Sequence, residues 1–352
     1  MLTREDVIWT YRLYLQREPE NENAIQFALN NFGSRTAWIQ SVKSSDEYKK
    51  ISGGIDPSSG HSPFWHYTSS FDAVAIINKH AKPLIRSSIL HATNFLGVKI
   101  RPEFFPNILS EKMGTVEPRP IPANWHADIA EWASCLRSVD LSGDRFVMLE
   151  LGCGWGCWMT NLGVAAKSMG KNVKLYGIEA DQDHLGFARA SFSDNGITKK
   201  EFVLSLGIAG KAGSVALFPS IESGIDWGGT AIFNPSEEEL KNAIDSDKYV
   251  RMPIIDIAAL IKDERKLDLL HVDIQGAELG LLTELFGLLC EKVRYIFIGT
   301  HSKQIEAGLF DLFASKQIWK LEMERPAIFG LTDGQPVVQV DGVQAWRNST
   351  FD

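Results

Sequence analysis

Glu150-Leu151-Gly152-Cys153-Gly154-Trp155-Gly156 places an acid directly before glycines at alternate positions, between an apolar run and a helical pattern. Glycines at such a turn let the backbone approach a ligand, and the helix behind offers free N–H groups. The spacing departs from the G-x-G-x-x-G of nicotinamide sites. A carboxylate at Glu150 would also repel a pyrophosphate. It suits S-adenosylmethionine, whose ammonium and sulfonium are both cationic. Glu179 closes the next apolar run and is placed to accept hydrogen bonds from a ribose diol. The expected cofactor set is therefore Glu150, Gly152, Gly154, Gly156 and Glu179. Taken alone, the glycines could simply tighten a turn.

Two residues further along suit a reacting centre. Asp273 and His301 each close an apolar run, where ligands of open α/β sheets sit. Methyl transfer needs an aligned acceptor oxygen and a home for its proton. Imidazole titrates near neutral pH, so His301 is the first candidate base; hydrogen bonding at a strand end is its other reading. Asp273 could orient an acceptor hydroxyl, act as the base, or ligate a divalent metal, which no further ligand indicates. It could equally cap the following helix. Gln275 and Glu278 could line the same crevice, Glu278 alternatively being a solvated first-turn acid. Trp125, His126 and Trp227 are candidate acceptor walls, against ordinary packing and turn formation. His271 reads as a packed, hydrogen-bonded core histidine. Cys153 and Cys157 read as small packing residues, because no second Cys or His pair stands at zinc spacing; no metal site is assigned.

These residues need a scaffold of short strands alternating with helices. Apolar runs at 146–151, 173–178, 202–206, 267–274 and 295–298 predict strands, and 158–169 and 183–193 predict helices. This is the pattern of a parallel sheet buried on both faces. Segments 318–323 and 337–340 flank Asp333-Gly334 and predict a late antiparallel hairpin. Four stretches follow: a small all-helical domain over 1–51, a Gly/Ser-rich linker over 52–60, a helical and loop connector over 61–141 that could serve as a substrate lid, and the α/β domain over 142–352. In the first, Thr3 with Asp6 and Ser34 are expected caps, with Val7, Tyr11, Tyr14 and Leu15, then Ile25, Ala28 and Leu29, then Ala37, Ile39 and Val42 inward. Pro19 and Gly33 are expected to end its first two helices, and Asn124 to cap one through Ile129, Trp132 and Leu136.

The motifs resemble the FkbM family of class I methyltransferases, with a Rossmann-like sheet. Asp268-Leu269-Leu270-His271-Val272-Asp273-Ile274-Gln275-Gly276-Ala277-Glu278 is similar to that family's Asp-Leu-Leu-Lys-Ile-Asp-Val-Glu-Gly-Ala-Glu, with His271 and Gln275 departing from it. Phe297-Ile298-Gly299-Thr300-His301 keeps the His of the family's Glu-x-His and has Gly299 in place of the Glu. Asp341-Gly342-Val343-Gln344-Ala345-Trp346-Arg347-Asn348 also looks like a branch of the family. The resemblance implies O-methylation of hydroxyls, often on sugars, glycans or secondary metabolites. Residues 11–19 and 44–48 are similar to a small helical domain that often accompanies enzymes of bacterial surface glycans.

Composition sets outer bounds. The 352 residues carry a formal net charge of −8, which gives no global field for nucleic acid or an anionic membrane. The apolar stretch 279–290 is too short to span a bilayer. Four cysteines form no disulfide framework, pointing to a reducing compartment, the cytoplasm. The expected function is S-adenosylmethionine-dependent O-methylation of a sugar or glycan hydroxyl. The rivals are a methyltransferase of another metabolite or of protein, a nicotinamide oxidoreductase, and a non-catalytic glycan-binding module.

Overall fold

The apolar runs form adjacent parallel strands: β1 (Arg145–Leu151), β2 (Asn172–Glu179), β3 (Phe202–Leu206), β4 (Leu269–Val272) and β5 (Tyr295–Thr300). Their order is β3-β2-β1-β4-β5. Two later strands, β6 (Trp319–Arg325) and β7 (Gly342–Asn348), extend the sheet, with β7 antiparallel to both β5 and β6. Strands β4 and β5 are buried at every position, as expected of a parallel sheet covered on both faces.

The computed structural model describes residues 2–15, 17–51, 63–211, 216–220, 229–246 and 248–352. The expected linker and Trp227 lie outside the described residues. The chain divides into two compact units, Met1–Pro63 and Phe64–Asp352. Among the described residues no helix is long and apolar enough to cross a membrane.

Alternation along β1 sorts its side chains between two cores. Phe146 and Met148 pack with Trp132, Trp158 and Leu185, from helices α1 (Ile129–Leu141), α2 (Cys157–Ser168) and α3 (Gln182–Asp194). Val147, Leu149 and Leu151 pack with Leu282, Leu309 and Phe313 on the other face, from α4 (Glu278–Glu284) and α5 (Lys303–Ala314). Between β3 and β4 an insert builds a small sheet from Ala216–Pro219, Ile232–Phe233 and Tyr249–Met252.

Two local expectations are corrected. Asp128, not Asn124, caps α1, through a capping box with Glu131. Asn124 instead accepts from the amides of His126 and Ala127 and from the Trp132 indole, fixing the segment ahead of the helix. The hairpin across Asp333-Gly334 joins Ile328–Thr332 to Gln335–Val340, with both turn residues in the left-handed region (φ 51° and 77°). The more buried 318–323 stretch belongs to β6 and pairs with β7, because Pro326 breaks the ladder before the hairpin begins.

The N-terminal unit is helical: Arg4–Thr10, running on into a π turn at Tyr11–Leu15, then Glu22–Asn31, Arg35–Ser44 and Asp46–Ile51. Thr3 and Ser34 cap as expected, Thr3 in a capping box with Asp6. Val7, Tyr11, Leu15, Ile25, Ala28, Trp38 and Val42 form its core. In the third helix Trp38, not Ala37, turns inward, since the larger ring carries more apolar area.

Candidate active site

The strand order reverses between β1 and β4, and a cavity of about 310 Å³ opens at their carboxyl ends. The glycine loop forms its floor. Gly152, Gly154 and Gly156 all have φ between 49° and 71°. A Cβ at Gly152 would lie 2.5 Å from the Asp273 carbonyl oxygen, so the loop and the end of β4 touch backbone to backbone.

Both acids flanking the loop line the cavity, but their oxygens are engaged. Glu150 accepts from the Met159 amide at 3.0 Å, in the first turn of α2. Burial pushes its carboxyl up to about 8 against the pull of the Met159 and Trp158 amides. Glu179 accepts from the Gly154 amide at 2.7 Å and from the Asp181 amide at 2.9 Å. Glu179 thus ties down the loop at Gly154, and Glu150 ties the end of β1 to the first turn of α2.

Asp273 lines the cavity; His301 and Glu278, which follow it in a chain of contacts, are not among the lining residues. Asp273 follows β4, and its side chain is 46% exposed. Gly299 on β5 makes room for it, for a Cβ there would lie 3.3 Å from the Asp273 carboxyl carbon. The Glu of the resembled motif at this position would press a second carboxylate against the first. His301 Nε2 lies 3.3 Å from Asp273 Oδ1, and its Nδ1 lies 2.9 Å from Glu278 Oε1. Glu278 Oε1 also accepts from the amides of Ile274 and Gly276.

Burial alone would lower the His301 pKa, but its two carboxylate partners raise it to about 10. Burial would likewise raise Asp273, and His301 more than offsets this, leaving the carboxyl below its ordinary value. The ring thus stands between two carboxylates that favour its charged form. The donor atoms of the three residues lie within 4.8 Å of one another, a spacing within a cation's reach.

Further expectations are corrected here. Glu278 is fully buried rather than solvated. Asp273 does not cap α4, which begins only at Glu278 behind Ala277. His271 is 3% exposed, yet neither ring nitrogen has a hydrogen-bond partner. Its ring packs on Phe297 (ring centroids 4.9 Å apart, planes 17° apart) and against Trp158 (5.5 Å), and the residue lines the cavity. Burial lowers its pKa to about 3.

Gln275 lines the cavity at φ 56°, and its amide reaches Asp273 Oδ1 at 3.4 Å. Of the expected wall pair, His126 faces the cavity with its Nε2 against the Cys157 thiol. Burial lowers its pKa to about 4. Trp125 packs edge-on against Phe105 and is not among the lining residues. Cys153 and Cys157 are buried with their thiols pushed up by burial, consistent with packing. Trp155, Trp158, Phe218 and Phe233 complete the walls and were not singled out in the sequence. Trp155, inside the glycine loop, was open to notice; Phe218 and Phe233 reach the cavity only through the insert's fold.

A protein from Jannaschia sp. (strain CCS1) named as a methyltransferase is 43% identical over 260 residues, covering 74% of this chain and 92% of that one. With that likeness, a glycine loop at the crevice of a parallel α/β sheet defines a methyltransferase. The profile of the methyltransferase FkbM domain matches residues 143–316. The chain belongs to the FkbM methyltransferase family. Among solved structures, methyltransferase FkbM from Methylobacillus flagellatus KT is 14% identical with a TM-score of 0.37, over 58% of this chain and 44% of that one. This chain therefore spans less than half the length of that protein. An O-methyltransferase from Bacillus cereus in complex with SAH is 11% identical, with a TM-score of 0.34, over 60% of this chain and 78% of that one.

Proposed function

We propose that this methyltransferase uses S-adenosylmethionine to methylate a hydroxyl of a sugar or glycan. One observation carries the reading. Asp273 offers an ionised carboxylate into a cavity whose floor is the glycine loop, and backbone contact at Gly152 holds the two together.

The residues present fit the cofactor. The backbone of Gly152, Gly154 and Gly156 leaves room for close approach, and Glu179 stands where a ribose diol would sit. The cavity falls within the range of ligand pockets, roughly 300–1,000 Å³. Bound there, S-adenosylmethionine would supply an electrophilic methyl group with a built-in leaving group. A cationic ligand would draw the proton off Glu150 and gain a buried counter-charge.

Asp273 accepts a hydrogen bond from the acceptor hydroxyl and aims its oxygen. His301 keeps Asp273 ionised and fixes its rotamer, and Glu278 fixes His301. Such alignment is worth roughly 7–11 kcal/mol in favourable cases. His126, Gln275 and the aromatic walls exclude water around the reacting atoms. The sugar assignment draws on these polar and aromatic surfaces together, on the habit of the family, and on the similarity of the N-terminal helical unit to domains beside glycan-modifying enzymes.

Thermal denaturation with S-adenosylmethionine, S-adenosylhomocysteine, NAD and NADP tests the cofactor, since a ligand that binds the folded form raises stability by mass action. Stabilisation by the two adenosyl-sulfur ligands is expected. A shift with NAD alone would overturn the reading. Transfer of labelled methyl to a panel of methyl glycosides then tests the acceptor class.

A further inference from the structure

We propose that the connector ahead of α1 docks the protein onto an anionic lipid surface, through an apolar ridge made by Leu84, Ile89, Leu90 and Met113. Among the described residues fourteen large apolar side chains are exposed, and six of them fall between Leu84 and Val116. Single exposed aliphatics are ordinary, but a cluster marks an interaction surface. Leu84 is 92% exposed, Ile89 82% and Leu90 64%, so these side chains protrude rather than lie in a groove.

The ridge is firmly pinned. Ile89 and Leu90 are the two central residues of a turn closed by the His91 amide on the Ser88 carbonyl at 3.1 Å. Such positions ordinarily go to Gly, Pro, Asn, Asp or Ser. The Gly114 amide donates to the carbonyls of both Ser88 and His91 at 3.1 Å, which seats Met113 beside the turn. The His91 ring bridges the Ser88 hydroxyl (2.7 Å) and the Asp194 carboxylate (3.3 Å), and Arg101 holds Asp194 through two nitrogens. Asp194 ends α3, whose first turn carries His184 on the cavity wall. Roughly 15 Å of helix lies between them. The turn therefore stands at the end of the domain away from the cavity, and covering it leaves the cavity mouth open.

Charge selects the occupant. The whole chain carries −8, yet residues 82–119 hold six Lys and Arg against three Glu. Lys82 and Arg86 flank Leu84, and Lys112 precedes Met113. Of the three acids, Glu103 is paired with Arg101, and Glu117 is buried with its carboxyl pushed up to about 7 by that burial. Glu111 is then the one acid of the segment both exposed and without an ion pair among the described residues. Protruding aliphatics with cations between them suit an anionic bilayer, where apolar tips reach the acyl boundary and cations meet headgroup phosphates. A second copy in a two-fold contact would set like charge against like, which opposes that pairing.

Co-sedimentation of the full chain with lipid vesicles tests this. Wild type should bind vesicles of phosphatidylcholine with about 30% phosphatidylglycerol at least roughly tenfold better than phosphatidylcholine alone, and less well as salt is raised. Ile89→Ser with Leu90→Ser, and separately Lys82→Glu with Arg86→Glu, should each lower that binding by about tenfold or more while the melting temperature stays near wild type. Should the turn variant melt lower, Leu84→Ser replaces it, at a side chain that packs on almost nothing. No binding by wild type, equal binding to the two vesicle types, or unaltered binding in either folded variant overturns the proposal. So does a dimer in equilibrium sedimentation that the Ile89 and Leu90 substitutions dissolve, since the ridge would then belong to a contact between copies.

Discussion

The wall from Glu150 to Glu179 is held by acids accepting from backbone amides, whereas the wall from Asp273 to His301 is held largely by side chains meeting side chains. On the first, Glu150 and Glu179 spend their oxygens on amides of Met159, Gly154 and Asp181. On the second, Asp273, His301 and Glu278 form a chain of charges whose members come from two separate strand ends. The contrast separates two tasks. A surface made of backbone serves a ligand common to a whole family, because side chains can change without moving it. The second surface is made of side chains, and the departures from the resembled motif at Gln275 and Gly299 fall there.

The widest effect is expected where the walls touch. Gly152→Val places branched carbon against the Asp273 carbonyl and forces a β-branched residue to positive φ. It should abolish both stabilisation by S-adenosylhomocysteine and methyl transfer. Retention of either, measured by thermal denaturation and label transfer, would show that the walls are independent.

Next comes Asp273→Asn, which leaves the first wall alone. Turnover should fall about 10²–10⁴-fold, with stabilisation by S-adenosylhomocysteine nearly unchanged. An equal loss of ligand binding would merge the two walls into one functional unit.

The smallest effect is a pH dependence of stability in the second wall. The His301 pKa rises on folding from the ordinary 6.5 to about 10. Its stabilising contribution is therefore fully present below pH 6.5 and is lost as the pH rises towards and through about 10. Urea midpoints of wild type should drop between pH 6.5 and 10 by more than those of His301→Gln. Parallel curves would remove the imidazolium from the site.

The same contrast explains what could be read in advance. The glycine loop and Glu179 lie within one strand-turn-helix-strand stretch, so spacing alone located them. The parallel strands were legible for the same reason, each being a continuous apolar run. Glu278 looked like a solvated helix acid because nothing nearby in sequence shows that His301 and the amides of Ile274 and Gly276 close over it. His271 looked like an ordinary core residue because its lack of partners appears only when β1, α2 and β5 are assembled around it. The late hairpin failed on partner choice: Asp333-Gly334 marked the turn correctly, but burial of β6 against β7 claimed the 318–323 stretch.

The insert between β3 and β4 has a consequence for how such a protein diversifies. Phe218, Gly229, Ala231 and Phe233 roof the cavity, yet none of them bonds to the acids that pin the glycine loop. The roof is therefore a segment separate from the loop and its two acids, tied to the second wall through the Thr230 hydroxyl on the Gln275 carbonyl. Lengthening or replacing it would reshape what enters the cavity while Glu150, Glu179 and the loop stay as they are, so new acceptors can be tried by a lineage without rebuilding the rest of the enzyme.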